Sequence, residues 1–171
     1  MATVYLGLGS NIERERYITA GLDALQRLFG EVALSPVYDS AAIGFSGQSF
    51  LNMVTRVQTD LPLGELARTL RRLETEHGRP ENATRFSSRQ LDIDILTYDD
   101  LAGTFGDITL PRQEILENAF VLRPLAELAP DELHPVDGRS YAALWGVFDQ
   151  SAQQLARVDF SWQGRLISRV E

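Results

Sequence analysis

The sequence predicts an α+β fold, a sheet with two helices on one face. Three observations lead to this prediction. Some stretches of the chain have apolar residues at strand spacing and others at helix spacing, and these stretches follow one another in the order βαββαβ as far as residue 98. Glycine or a polar loop ends each helical stretch, and no internal repeat is present. This order is typical of the split βαβ, or ferredoxin-like, sandwich, and the helical segments beyond residue 98 predict extra C-terminal helices.

The length and composition predict a single domain spanning residues 1–171. A chain of 171 residues with 44% hydrophobic content can bury roughly 70% of its unfolded surface, which is enough for one core. No apolar run approaches the roughly 20 residues of a membrane span. Residues 1–4 lack the basic and apolar regions of a signal peptide. We therefore expect a cytoplasmic protein that does not bind membranes.

The charged residues exclude several classes of protein. A formal net charge of −8 argues against broad nucleic-acid binding, which needs a cationic surface. Lysine is absent, so a phosphate-binding P-loop and Schiff-base chemistry are excluded. Cysteine is also absent, which excludes disulfides and thiolate chemistry. Arginine can still bind phosphate through its planar guanidinium group.

The first three predicted elements lie before residue 40. Residues 3–8 form an apolar strand, and the glycine-containing stretch 7–11 is expected to turn tightly into a helix capped by Ser10 or Asn11. Residues 32–38 form a second strand, which Pro36 places at an edge of the sheet. The helix between them ends at Gly30 and carries an apolar stripe. Its members are Ile18, Leu22, Leu25, Leu28 and Phe29.

Three further elements complete the predicted order. Residues 50–59 alternate as a strand, residues 63–77 form an amphipathic helix, and residues 91–98 form the last strand. Glu74 lies at the edge of the helix's apolar stripe, where a surface position is the plainer interpretation. Beyond residue 98 prolines divide the chain into short helical segments, and the tail from residue 150 has no clear period. These segments lie around residues 113–118, 123–129 and 140–148.

The strand at residues 91–98 carries the most informative pattern. Alternate side chains of a strand share a face, so Asp92 and Asp94 lie together with Cα atoms ~6–7 Å apart. Two carboxylates this close repel each other unless a cation lies between them, and a divalent cation with oxygen ligands is the usual one. Arg79, Arg85 and Arg89, just upstream, could bind an anion, and a metal beside arginines indicates phosphate. A half-solvated strand with a wet acidic face also explains the pair.

Six motifs in order resemble those of one family. They are Gly7-Leu8-Gly9-Ser10-Asn11, Phe50-Leu51-Asn52, Glu74 before Gly78-Arg79, Arg89-Gln90-Leu91-Asp92-Ile93-Asp94, Leu110-Pro111, and Phe120-Val121-Leu122-Arg123-Pro124-Leu125 followed by Ala129-Pro130. Over residues 3–136 their order and spacing resemble the hydroxymethyl-dihydropterin pyrophosphokinase family of the folate pathway.

This resemblance implies a reaction and its residues. A pyrophosphoryl group would pass from ATP to the hydroxymethyl oxygen of 6-hydroxymethyl-7,8-dihydropterin, releasing AMP. Asp92 and Asp94 would hold two magnesium ions and act in catalysis with Arg79 and Arg89. Loops 40–48 and 79–89 would close over the substrates. The pterin would contact Ile43, Gly44, Phe50, Asn52, Phe86 and Phe120, and ATP would contact Glu74, Arg79, Arg85, Arg89, Ile95 and Arg112.

The chain departs from the family pattern mainly on the ATP side. Phe86 replaces a usual tryptophan, Arg112 stands where a histidine is expected, and Asn118 stands where an arginine is expected. The last two positions contact ATP phosphates in the family. The alternative function is therefore a divergent paralogue that binds pterin or a protein partner without efficient catalysis. A two-metal nucleotidyl-transfer enzyme is a third interpretation, which the net charge of −8 disfavours.

Overall fold

The computed structural model describes residues 1–40, 49–78 and 90–171, and these form an α+β structure. The predicted α+β class is confirmed, and the elements follow the predicted order as far as Tyr98, with the second strand split in two. The strands are β1 (Ala2–Ser10), β2 (Ala33–Leu34), β3 (Val37–Ser40), β4 (Phe50–Thr59), β5 (Asp92–Tyr98), β6 (Gly103–Phe105), β7 (Ile108–Leu110), β8 (Leu155–Val158), β9 (Phe160–Trp162) and β10 (Arg165–Ser168). The helices are α1 (Arg14–Phe29), α2 (Leu63–Glu76), α3 (Glu114–Glu117), α4 (Ala119–Leu128) and α5 (Tyr141–Val147).

The main sheet is antiparallel and has the strand order β5-β1-β4-β3-β8, with β2 also pairing with β4. Strand β1 pairs with β4 along its whole length, from Ala2 opposite Thr59 to Ser10 opposite Leu51. On its other side β1 pairs with β5. Within the described ranges β5 is therefore one end of the sheet, and β1 lies next to it.

Helices cover both faces of this sheet. Leu6 and Leu8 of β1 point into a core shared with α1 and α2. Tyr5, one residue before Leu6, points into a second core with α4 and α5. The period of two in the strands thus divides the buried side chains between two layers. No helix in the described ranges is long and apolar enough to cross a bilayer.

The predicted turn at residues 7–11 is wrong. Strand β1 continues through Ser10, and helix α1 begins only at Arg14, after Glu13 with a φ of 44°. Neither Ser10 nor Asn11 caps the helix, because no side chain caps its first residue and the Ser10 hydroxyl donates to the Ile12 carbonyl at 3.1 Å. Gly7 and Gly9 therefore lie inside a strand and not in a turn, and a glycine inside a strand often marks the close approach of another group.

The edge position predicted for the strand around Pro36 is also wrong. Pro36 falls in the break between β2 and β3, where it interrupts no strand pairing. β3 then pairs with β4 on one side and with β8 on the other. Strand β8 comes from the tail and has only four residues, too few for a clear sequence period.

Two further differences lie beyond residue 98. A short hairpin, β6–β7, occupies residues 103–110, before the first of the predicted helical segments. Helix α4 runs through Pro124 although a break was expected there. A proline inside a helix costs ~3 kcal/mol, whereas each fully buried leucine contributes ~1.5–3 kcal/mol. Leu122 and Leu125 of α4 are both buried in the second core, so packing outweighs the lost hydrogen bond.

Candidate active site

A cavity of about 1020 Å³ lies over the ends of β1, β4 and β5 and continues to α2 and the β6–β7 hairpin. Its volume is at the upper end of the range for small-molecule sites. Eight of the residues predicted to act in the site line it. They are Phe50, Asn52, Glu74, Asp92, Asp94, Ile95, Arg112 and Phe120.

The strand pairing arranges one wall of this cavity, which we call the strand floor: Gly7, Gly9, Asn52, Asp92 and Asp94. Gly9 lies opposite Asp92 on one side and opposite Asn52 on the other, so the three form a row across β5, β1 and β4. Gly7 lies opposite Asp94 in a neighbouring row. The register therefore fixes the spacing between the carboxylates and the amide.

Gly9 is required by the space above it. A Cβ atom built on Gly9 would lie 2.9 Å from Asn52 Nδ2 and 3.5 Å from Phe50 Cδ1, the first of which is closer than side chains pack. At Gly7 the same atom would make an ordinary contact of 3.5 Å with Leu96. The role of Gly9 was missed by the sequence analysis, although a glycine inside an apolar strand is itself a signal of close approach.

The predicted alternation of β5 is present. Ile93 and Ile95 are buried in the core with α2, whereas Asp92 and Asp94 are partly exposed and line the cavity. Desolvation, and after it the negative charge of Asp92, raise the pKa of Asp94 to about 7. The Arg112 guanidinium offsets part of this rise, with its Nη2 atom 3.5 Å from Asp94 Oδ1. The pair thus carries more negative charge than its surroundings stabilise.

These carboxylates fit magnesium. Among the described residues no group of three or more His, Cys, Asp or Glu could hold a metal by itself. Mg²⁺ does not need such a cage, because it is usually bound through one or two carboxylates together with waters and substrate phosphates. A cation between the two carboxylates would offset the repulsion from Asp92 that contributes to the raised pKa of Asp94.

The amide of Asn52 is held in one orientation. The hydroxyl of Ser40 donates to Asn52 Oδ1 at 2.7 Å, which leaves Nδ2 on the side of Gly9. Phe50 lies two residues before Asn52 on β4, and Phe120 reaches the same cavity from the start of α4. Two aromatic rings and an oriented amide suit a flat heterocycle with a polar edge.

A second wall of the cavity, which we call the rim segment, comprises residues 110–118, and an ion pair links it to β5. Arg112 Nε donates to Glu114, so this guanidinium joins Glu114 to Asp94. Asn118 lines the cavity at the junction of α3 and α4 and accepts from the backbone N–H groups of Val121 and Leu122 through its carbonyl. A side chain placed at 118 would therefore start from a fixed backbone position.

Glu74 is buried, not on the surface. Its side chain is 3% exposed, and its Oε2 atom accepts from the Ile93 backbone N–H at 2.8 Å. Glu74 is buried where α2 contacts β5, the end strand of the sheet. The apolar pattern of α2 alone does not reveal this contact. The remaining predicted site residues lie outside the described ranges, as do both predicted loops apart from Ser40. They are Ile43, Gly44, Arg79, Arg85, Phe86 and Arg89.

Paired carboxylates, an arginine and an oriented amide around one cavity of an α+β fold indicate a metal-dependent transferase that acts on small molecules. Comparison with known proteins then identifies the chain. Residues 5–130 match the model of the 7,8-dihydro-6-hydroxymethylpterin-pyrophosphokinase (HPPK) family, and the chain belongs to this family. The predicted activity, pyrophosphoryl transfer from ATP to hydroxymethyldihydropterin in folate synthesis, is confirmed, as is ATP as its co-substrate.

Two curated relatives carry the name 2-amino-4-hydroxy-6-hydroxymethyldihydropteridine pyrophosphokinase. The protein from Aquifex aeolicus is 38% identical over 138 residues, covering 80% of this chain and 86% of the relative. The protein from Pseudomonas aeruginosa is 40% identical over 140 residues, covering 80% and 85%. A solved structure of Plasmodium falciparum HPPK-DHPS has a TM-score of 0.73 at 12% identity. It covers 98% of this chain, which spans about half of that longer chain, and it supports the fold.

Proposed function

We propose that the strand floor positions both reacting partners: Asp92 and Asp94 hold two magnesium ions, and Asn52 with Phe50 and Phe120 holds the dihydropterin. The observation that carries this proposal is the row Asp92, Gly9, Asn52. Neighbouring strands lie ~4.8 Å apart, so the carboxylate and the amide are anchored roughly 10 Å apart. A bicyclic ring with a one-carbon arm is long enough to bridge that distance, and Gly9 itself adds no side chain between the two anchors.

The residues on the pterin side bind and orient the acceptor. Phe50 and Phe120 supply stacking surfaces, and Asn52 supplies a donor whose direction the Ser40 hydroxyl sets. A fixed orientation matters because the hydroxymethyl oxygen must point toward the carboxylates for transfer. Positioning of this kind is a large part of what a protein contributes to phosphoryl-type transfer. Ile43, Gly44 and Phe86 complete the pterin contacts in this proposal.

The residues on the ATP side bind and neutralise the phosphates. Magnesium held by Asp92 and Asp94 would supply charge neutralisation and alignment of the reacting oxygens. Arg112 lies beside Asp94 and supplies a positive charge at the same end of the cavity. Ile95 lines the wall toward α2, where the nucleotide would lie. The proposal keeps Arg79, Arg85 and Arg89 on the ATP side, with Arg79 and Arg89 acting in catalysis, and assigns Glu74 to β5 and not to direct contact with the nucleotide.

Calorimetric titration tests this assignment. We expect 6-hydroxymethyl-7,8-dihydropterin and a non-hydrolysable ATP analogue both to bind in the presence of magnesium, and the analogue to lose most of its affinity in D94N. Binding of the pterin alone would favour the divergent paralogue. Unchanged analogue affinity in D94N would show that the carboxylates do not hold the metal.

The same proposal includes the setting in which the enzyme works. We infer that residues 1–171 act as one domain in the cytoplasm on its two small-molecule substrates, without nucleic acid. A net charge of −8 supports the last point. Limited proteolysis that releases two separately folded fragments would contradict the single domain.

A further inference from the structure

Strand β5, which carries both aspartates, has a strand partner on one side only within the described ranges. Successive N–H groups of a strand point alternately to its two sides, so every second N–H of β5 faces away from β1. Such groups need another acceptor when they are buried. Ile93 stands between the two aspartates, and its side chain is 5% exposed.

Glu74 supplies the acceptor for Ile93. Its Oε2 atom accepts from the Ile93 N–H at 2.8 Å, and the residues are 19 positions apart in sequence. Glu74 lies in the last turn of α2, next to Leu73, which is buried in the first core. Arg71 lies one turn earlier, with its Nε atom 3.6 Å from Glu74 Oε1, and is mostly exposed. A buried carboxylate thus joins a packed helix to the backbone between Asp92 and Asp94.

We propose that Glu74 is a positioning residue, which sets the place of Asp92 and Asp94 by holding the Ile93 amide. The hydrogen bond acts on the backbone between the two carboxylates, so its loss lets both move together. A misplacement of about 1 Å in a reacting geometry lowers a rate by roughly a hundredfold. This inference rests on the proposed metal-binding role of the aspartates.

The geometry favours this role over direct contact between Glu74 and ATP. One carboxylate oxygen is already committed to the Ile93 amide, and the side chain is 3% exposed although it borders the cavity. A carboxylate facing a triphosphate would also repel it. The acceptor oxygen, and not the negative charge, is therefore the property that we expect the enzyme to need.

A pair of neutral variants separates the two properties. Glu74→Gln keeps an oxygen that can accept from Ile93, whereas Glu74→Met has a similar length and no comparable acceptor. Glu74→Ala replaces the methionine variant if that one fails to fold. Glu76→Ala, at an exposed glutamate on the same helix, is the control.

The first measurement is amide hydrogen exchange by NMR, which requires no substrate. We expect the Ile93 amide to exchange slowly in the wild type and in E74Q, and at least about tenfold faster in E74M, relative to amides of the interior strand β1. Slow exchange of Ile93 in E74M, or fast exchange in the wild type, would overturn the proposal. This readout stays valid if the metal role of the aspartates is wrong, so the two failures can be told apart.

The second measurement is steady-state kinetics with the magnesium dependence of analogue binding. We expect E74M to lower kcat by roughly 10–100-fold and to require more magnesium, with E74Q and E76A close to the wild type. If E74Q and E74M instead raise KM for ATP equally and leave kcat unchanged, Glu74 contacts the nucleotide and the proposal is wrong. A changed Ile93 exchange rate with unchanged kcat would also overturn it.

Discussion

The strand floor and the rim segment line one cavity, but different interactions position their side chains. On the strand floor, backbone pairing places Asp92, Gly9 and Asn52 in a row. In the rim segment, ion pairs between side chains place Arg112 between Asp94 and Glu114. The first arrangement depends on backbone pairing across three strands, whereas the second depends on the rotamers of a few side chains.

This difference shows where the site can change during evolution. A slip of one residue between β1 and β5 would turn Asp92 into the core, so the register resists change. An ion pair of partly exposed groups contributes only ~0–1 kcal/mol, and its members can be replaced with little loss of stability. The departures from the family pattern at Arg112 and Asn118 lie in the rim segment, as this contrast leads us to expect.

The largest effect is expected from the strand floor. Asp92→Ala or Asp94→Ala should lower magnesium-dependent AMP formation by about a thousandfold or more, a loss of ~4 kcal/mol of transition-state stabilisation. Thermal unfolding should change little, because the buried face of Ile93 and Ile95 is untouched. AMP release is the measurement, and Asp100→Asn, an exposed position after β5, is the control. Near-normal turnover by either alanine variant would mean that the acidic face is only solvated.

The next effect concerns the pterin side. Phe120→Ala should weaken dihydropterin binding by ~1–3 kcal/mol, since a stacking surface is lost, while the affinity for the ATP analogue changes much less. Calorimetry with each ligand separately measures both. If the protein is strongly destabilised and pterin affinity in the folded fraction does not move, Phe120 is a packing residue instead.

A substitution in the rim segment is expected to raise activity. Asn118→Arg adds one charge-assisted contact to the triphosphate, worth ~1.5–3 kcal/mol, and should raise kcat/KM for ATP by about ten- to a hundredfold. Asn118→Gln, which has length without charge, should give no such gain. If phosphate binding is weakened in this chain, Arg112→Ala should lower kcat/KM for ATP only slightly. No gain from N118R together with a large loss in R112A would show that Arg112 already supplies this contact.

The smallest effect compares the two glycines of the floor. Gly9→Ala should weaken pterin binding by about tenfold, or ~1.4 kcal/mol, because the new methyl group displaces the Asn52 amide. Gly7→Ala meets only Leu96 at 3.5 Å and should cost clearly less. Pterin titrations of the two variants provide the comparison. Equal losses would mean that the row through Gly9 does not hold the ring.

Much of the fold was predictable, and the reason is local periodicity. The alternation of β5 predicted that Asp92 and Asp94 share a face, and the period of α2 predicted the helix beneath them. What could not be predicted depends on pairing between distant segments. The row across Gly9 requires the register of three strands, and the burial of Glu74 requires the end of the sheet. The hairpin β6–β7 has strands too short to leave a periodic signal.

Strand β8 extends the main sheet beyond β3. The family match ends at residue 130, and β8, at Leu155–Val158, lies beyond it along the edge of β3. Arg157 of β8 donates to the Tyr38 hydroxyl, which also donates to Glu127, so the strand is pinned as well as paired. Without β8, β3 would be the edge strand on this side of the sheet, and its unpaired N–H and C=O groups could pair with another chain. Strand β8 therefore supports, from outside the family match, the strand that carries Ser40, whose hydroxyl orients Asn52.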